Sequence, residues 1–387
     1  MNYKAKEEYR LLIQPRYQCA NKTVKQRILD EFCAVCGYHR KYAIALLKKL
    51  VRVKKSFSKA PGPKPRYQDA DFLKVLQRIW YETDLSCAKR LKAAIPLWLP
   101  KYGQHYGELS EEIQHKLLTI SSASIDRALK PLRDRIEIKK RSQTKPGTLL
   151  KHKIPYKLDV PWNSSLPGFV EADTVAHCGG NTSGNHAWSL TLTDIRTTWT
   201  ENRAVWNKGG YGVLMQIKDI EEHLPFSSLG FNCDSGSEFL NQHLIGYLQG
   251  KKKPNLLFAR SRPNKKNDNA HVEQKNWTHV RHLFGYGRLG KFGVDELMND
   301  LYKNEWRLYQ NFFMPSMKLI EKTRIGSRYR KKYDFPQTPY QRVLQEPSIL
   351  QEQKEKLTMI YQSLDPFSLR KSTRIKLNQI LKYSGLK

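Results

Sequence analysis

Cysteine is scarce and scattered: Cys19, Cys33, Cys36, Cys87, Cys178 and Cys233 are the whole set in 387 residues. Only Cys33 and Cys36 form a C-x-x-C, and no second pair stands at zinc spacing, so a closed structural zinc site lacks ligands. The pair reads as core thiols on a helix. No apolar run reaches the ~18 residues that a membrane-crossing helix needs, and no signal peptide opens the chain. The setting these absences point to is a reduced, intracellular, soluble protein. Acidic residues are also in short supply, 36 Asp+Glu against 68 Lys+Arg. The resulting formal charge of +32 favours polyanions, whose phosphates such a field attracts without regard to sequence.

What is present is a chain long enough for two to four domains with proper cores. At 39% hydrophobic and 11% aromatic it has the composition of a folded protein. The charge is uneven. Residues 1–150 carry 32 Lys+Arg and 14 Asp+Glu, residues 151–300 carry 18 and 15, and residues 301–387 carry 18 and 7. Two basic flanks enclose a nearly neutral centre, the profile of an active core held between arms that grip nucleic acid.

In the first flank, Val24, Ile28, Leu29 and Phe32 recur at helical spacing, Gly37 interrupts, and a basic amphipathic run follows through Leu47. Helix, glycine turn and basic helix make a helix-turn-helix outline over 1–58, with Arg40, Lys41 and Lys48 facing nucleic acid. A Pro/Gly/Lys linker, "KAPGPKPRY", stands at 59–67. Residues 68–138 repeat the logic: a helix at 110–118, a serine-rich turn, and a helix capped by Ser122 or Ser124 that offers Arg127 and Lys130. A basic connector occupies 139–159.

Past it the period changes to two. Residues 168–177, 186–195 and 198–206 read as three strands, followed by helix 210–223, strand 228–233, helix 237–248, strand 255–260 and helix 267–284. That order predicts a mixed-sheet α/β core over 160–290, with all-α domains before it and a mostly helical basic region, 291–387, after it. Asp365-Pro366 starts the last helix.

Three acids hold special places in the core. Asp173 lies within the first strand, Asp234 ends the fourth, and Glu273 sits on the helix after the fifth. Clustered carboxylates raise each other's pKa, and hard cations such as Mg²⁺ or Mn²⁺ relieve that repulsion. Two such ions about 3.5–4 Å apart clamp the attacking and leaving oxygens of a phosphoryl transfer, with no small-molecule cofactor. Glu171, two residues before Asp173 and on the same strand face, is the alternative first acid. Asp234 read alone serves equally as a helix cap, and Asn269, Glu273 and Asn276 read alone as a polar helix stripe. His177 reads as a structural histidine.

"GFVEADTVAH", "DSGSEFLN" and "RSRPNKKNDNAHVEQKNW" resemble the three signature blocks of bacterial insertion-sequence transposases with an integrase-type catalytic core. Retroviral integrases are more distant relatives of that core. The resemblance covers roughly 160–290, and the N-terminal helical blocks are similar to those of the same transposases. It implies a ribonuclease H-like five-stranded mixed sheet with flanking helices, and a D-D-E metal triad of Asp173, Asp234 and Glu273. It also implies DNA contacts at Lys265, Lys266, Asn269 and Lys275. The activity implied is binding of terminal inverted repeats, 3′-end cleavage and strand transfer by a homo-multimer in a synaptic complex on double-stranded DNA. The place implied is the nucleoid of a prokaryotic cytoplasm. One block departs from the family: Asp-Asn-Gly is usual after the second acid, and Asp234-Ser235-Gly236 stands here, with serine small and polar enough to support the turn. Two other readings stay open, a DNA-binding protein with an inactive core and a ribonuclease H-like nuclease without strand transfer. A tyrosine recombinase is disfavoured, because no H-x-x-R box is present.

Overall fold

The computed structural model describes residues 1–48, 67, 69–135, 164–250, 255–262 and 266–386. The chain divides into two compact units, Met1–Pro65 and Arg66–Lys387. The connector at 139–159 lies outside the described residues, as do residues 59–66 of the earlier linker.

The first unit holds α1 (Tyr3–Cys19), α2 (Lys22–Cys36) and α3 (Arg40–Lys48). Asn2 and Asn21 cap α1 and α2, each side chain accepting from the N–H three residues on. Gly37, at φ 66°, takes the left-handed position that ends α2. Ile13, Tyr17, Ile28, Leu29, Phe32, Ala43 and Leu47 form the core, with Cys36 inside it and Cys33 packed against it as a second free thiol. Helix α1 escapes a reading by periodicity because charges interrupt its apolar positions and Pro15 lies within it.

The second unit opens with α4 (Ala70–Glu82), α5 (Ala88–Tyr106), α6 (Glu111–Thr119) and α7 (Ser122–Arg133). The cap of α7 is Ser121, not Ser122 or Ser124: its Oγ accepts from the Ser124 N–H. These helices have no core of their own. Phe72, Trp80 and Trp98 share one hydrophobic core with Trp199, Tyr302, Trp306, Phe312 and Phe367, so residues 69–135 and 291–386 are packed together around the edge of the sheet.

The sheet has five strands. β1 (Phe169–Ala176), β2 (Ala187–Asp194) and β3 (Thr200–Trp206) run as an antiparallel meander. After α8 (Gly210–His223), β4 (Gly230–Cys233) joins β1 in parallel; after α9 (Gln242–Leu248), β5 (Leu257–Arg260) joins β4 in parallel. The order is β3-β2-β1-β4-β5. The expected helix at 237–248 shortens to α9, which is capped by Asn241.

Alternation along the strands gives the sheet two unlike faces. Val170, Ala172, Leu190, Leu192, Val205 and Phe231 pack with Val213, Ile217 and Leu244 beneath α8 and α9. The residues between them point the other way and are polar: Glu171, Asp173, Thr191, Thr193, Asn202 and Asn232. A helical run comes onto this polar face. It comprises a 3₁₀ turn (Lys266–Asn269), α10 (Ala270–Lys275), a π turn (Asn276–Arg281) and α11 (His282–Phe284).

Beyond it lie α12 (Val294–Leu301), a second π turn (Tyr302–Trp306) and α13 (Arg307–Phe313). A hairpin of β6 (Leu319–Ile325) and β7 (Arg328–Tyr333) follows, then α14 (Pro339–Gln345), α15 (Gln351–Ser363) and α16 (Pro366–Tyr383). Asp365 caps α16 by accepting from the Phe367 N–H, as the Asp-Pro pair predicts. The hairpin departs from the mostly helical reading of this region. Among the described residues, no helix is long and apolar enough to cross a membrane.

Candidate active site

Register places the first two acids. β1 and β4 pair in parallel with Ala172 opposite Cys233, so Asp173 and Asp234, one residue further along each chain, lie next to one another. Both are partly exposed, Asp173 within β1 and Asp234 one residue past the end of β4. One Asp173 oxygen accepts from the Thr174 N–H at 2.8 Å, the other from Asn276 Nδ2 at 2.7 Å. Asp234 Oδ1 accepts from the Gly236 N–H at 2.9 Å. That bond folds the chain back on itself, and the next helix starts only at Gln242 under its own Asn241 cap. Asp234 is therefore not a helix cap. Nor is the turn supported by Ser235, whose hydroxyl is buried with no partner.

The third acid arrives on α10. The polar face of β1 and β4 holds this helix by its first turn: the His271 and Val272 N–H groups donate to Glu171 Oε2 at 3.0 and 3.2 Å. Asn232 Nδ2 donates to Asn269 Oδ1 at 2.9 Å, and Asn269 Nδ2 donates to the Ala172 carbonyl at 3.3 Å. Glu171 is fully buried in this helix-capping role, which removes it as an alternative to Asp173. Glu273 rides on the exposed side of α10.

Electrostatics ties the acids together. Burial, then the charge of Asp234, then those of Glu238 and Glu273 push the Asp173 carboxyl up to about 8, against the Thr174 hydrogen bond. Asp234 is raised by burial and by Glu238, while Gly236 and Lys208 pull it down. Glu238 is a fourth acid that reading by residue order missed. It lies in the turn before α9, is 1% exposed, accepts from Thr174 Oγ1 at 2.7 Å and pairs with Lys208 at 2.8 Å. Its Oε2 is buried without a partner. Its presence inside "DSGSEFLN" was the available signal. It also explains Gly236: a Cβ there would meet Glu238 Oε2 at 2.3 Å. Among the described residues, no three His, Cys, Asp or Glu side chains already surround a common metal position.

The expected DNA contacts divide. Arg40, Lys41 and Lys48 are exposed on α3, with Arg40 paired to Asp30. Arg127 and Lys130 are exposed on α7, and Arg127 donates to Ser124 Oγ at 3.0 Å. Lys265 lies outside the described residues, and Lys266 opens the 3₁₀ turn. Two expectations are corrected. Asn269 is buried and spends its amide on the strand–helix junction. Lys275 is also buried, and burial together with the Arg90 and Arg342 charges pulls its ammonium down to about 7. A side chain buried at 8% exposure does not reach a phosphate. His177 is internal as expected: it meets Ser189 Oγ at 2.8 Å, and burial holds it neutral, down to about 3.

No protein-family model matches the chain. A solved simian T-cell lymphotropic virus intasome in complex with PP2A regulatory subunit B56 gamma aligns at 13% identity over 57% of this chain and 82% of that one. Its TM-score of 0.30 is too low to establish a common fold. The uncharacterized protein y4rM of Sinorhizobium fredii is 38% identical over 331 residues, 84% of this chain and 91% of y4rM. Identity of that level across nearly the whole of both chains establishes that this protein belongs to the same family as y4rM.

Proposed function

We propose that this protein is a DNA transposase of the integrase-core type, which binds the terminal inverted repeats of a mobile element and catalyses metal-dependent 3′-end cleavage and strand transfer. The observation that carries this reading is the pairing of Ala172 with Cys233, which sets Asp173 beside Asp234 under the helix that bears Glu273. A mixed five-stranded sheet, three strands antiparallel and two parallel, is in keeping with a ribonuclease H-like core.

The residues present suit a hard divalent cation. The donors are carboxylate oxygens, and Asp173 is raised by each neighbouring acid in turn, a cost that a cation relieves. Asp173, Asp234 and Glu273 would hold Mg²⁺ or Mn²⁺, two ions per site. Bound there, the metal supplies Lewis acidity and a more acidic attacking hydroxyl. The chain's own groups do the positioning. Asn276 fixes one oxygen of Asp173, and the Gly236 N–H fixes one oxygen of Asp234. Lys208 offsets Glu238 at the floor of the site. Glu273, exposed on α10, would be the third carboxylate of the set. Exposed cations of α3 and α7 hold duplex phosphates, and a homo-multimer brings two DNA ends together.

Joining of labelled inverted-repeat ends to a target plasmid in Mg²⁺ tests the reading. Asp234→Ala and Glu273→Ala each lower joining by about three orders of magnitude, the loss of several kcal/mol of transition-state stabilisation. Unchanged joining by either variant sinks the mechanism. End binding with no nicking in Mg²⁺ or Mn²⁺ assigns instead a DNA-binding protein with an inactive core.

A further inference from the structure

The β6–β7 hairpin has no role in the site described above. All thirteen residues of its two strands are exposed. A two-stranded ribbon alone in water is marginally stable, so this one is held at its ends. At the base, Ser316 and Gln337 exchange both backbone hydrogen bonds, at 2.8 and 3.1 Å. Asp334 Oδ1 accepts from the Lys318 N–H at 2.6 Å, and Asp334 Oδ2 accepts from Arg342 at 2.7 Å. At the tip, Ile325 pairs with Arg328 across a two-residue Gly326-Ser327 loop, with Gly326 at φ 59°. Glycine at the first loop position suits the turn that matches strand twist. Ordering this segment costs conformational entropy, and neither strand contributes a residue to the hydrophobic core. Little within the described residues offsets that cost along the two strands.

Charge identifies what lies outside. Residues 319–333 carry Lys322, Arg324, Arg328, Arg330, Lys331 and Lys332 against one acid, Glu321. Pairing divides the cations evenly, with Lys322, Arg324 and Lys331 on one face and Arg328, Arg330 and Lys332 on the other. Lys322 stands directly opposite Lys331, a like-charge pair that destabilises an isolated ribbon. Among the described residues both outer edges lack a strand partner, but a second copy would bring the same charge against them. An anion that flanks both faces at once relieves all of this. The major groove of B-form DNA, about 12 Å wide between two phosphate backbones, admits a two-stranded ribbon. The deep, narrow major groove of A-form RNA does not.

We propose that the β6–β7 hairpin is a DNA-binding arm that enters the major groove of a duplex, its two faces turned to the two phosphate backbones. The choice of DNA rests on the proposed function; the arm itself needs no catalysis. The test is equilibrium binding of full-length protein to a labelled DNA duplex in EDTA, across a salt series. The combined variant Arg324→Ala, Arg328→Ala and Arg330→Ala binds at least about tenfold more weakly at 0.1 M salt. Its slope of log affinity on log salt flattens by about 2.7, roughly 0.9 for each phosphate that the arm no longer neutralises. The corresponding triple lysine variant recovers most of the affinity, and both variants melt with the wild-type protein because the arm touches no core. Unchanged affinity and slope in the alanine variant overturn the proposal. A loss confined to single-stranded RNA, with duplex DNA unaffected, overturns the choice of occupant. Asp234→Asn separates this from the catalytic reading: arm-dependent DNA binding that persists in a protein unable to join ends supports the arm.

Discussion

The two faces of the central sheet are built from the same strands and do opposite things. On one, Val170, Ala172, Leu192 and Phe231 disappear beneath α8 and α9. On the other, Glu171 and Asn232 meet the polar first turns of the 266–284 helical run, and Asp173 meets Asn276 further along it. The first face gains stability from area removed from water, a term without direction. The second uses directed hydrogen bonds, each of modest net worth, to set a helix at one register. The second places Asp173 close enough to Asp234 to be raised by it. The lesson is a division of labour within single strands: Glu171 and Asp173 of β1 position chemistry, and Val170 and Ala172 between and beside them provide stability.

The sharpest way to break the comparison is to strike each face once. Phe231→Ala costs about 3–5 kcal/mol of unfolding free energy, measured by denaturant titration, while joining per folded molecule is retained. Asp234→Ala does the reverse, removing joining while its unfolding midpoint holds or rises. Glu171→Ala sits between the two. It leaves the His271 and Val272 N–H groups without their acceptor, costs about 1–3 kcal/mol, and lowers activity because α10 loses its seat. A KM little changed beside a reduced kcat is the signature to look for.

Lys275→Met is expected to act in the other direction. It replaces a buried amine among Arg90 and Arg342 with an apolar chain of similar length, and stability rises by about 1–2 kcal/mol. DNA affinity at fixed salt stays level, unlike the response to substitution of exposed Arg127 or Lys41. The smallest effect concerns the far end of the helical run, where His282 meets Asp84 at 2.6 Å and Asp84 also meets Arg370 at 3.0 Å. The Asp84 contact raises His282, and Asp84 is lowered by His282 and Arg370 against its burial. The histidine contribution is complete below the ordinary value near 6.5 and is lost as pH rises through the raised one. The Asp84 contribution is present above about 4 and is lost as pH falls through its lowered value. His282→Gln therefore costs less than about 1 kcal/mol at pH 5.5, for a partly exposed pair, and nothing at pH 9. Thermal melts at the two pH values read the difference.

Much of the sheet was legible because period two is a local signal: "GFVEADTVAH" and "HAWSLTLTDI" alternate plainly, and strands lie where they do. Helix boundaries were legible where a cap was specific, as at Gly37 and Asp365. They were misplaced where several candidates competed, as among the serines before α7 and in the turn before α9. The β6–β7 hairpin was missed because its strands have no buried face, so no hydrophobic alternation marks them. The Gly326-Ser327 turn was the one cue. Lys275 and Asn269 were misjudged because a sequence shows which residues share a helix face, not whether that face meets solvent or a sheet.

The sequence by itself determined the polarity of each strand face, the three acids and their order, and the strongly basic flanks, since all are carried by residue identity and short spacing. Tertiary structure alone decided that Ala172 aligns with Cys233, that Glu171 becomes a buried helix cap, and that Glu238 joins the cluster from a turn. These are contacts between residues some 60 to 100 positions apart in the chain. No local propensity encodes such contacts. They form only when burial of the apolar face brings the strands into register and so commits the polar face to its partners.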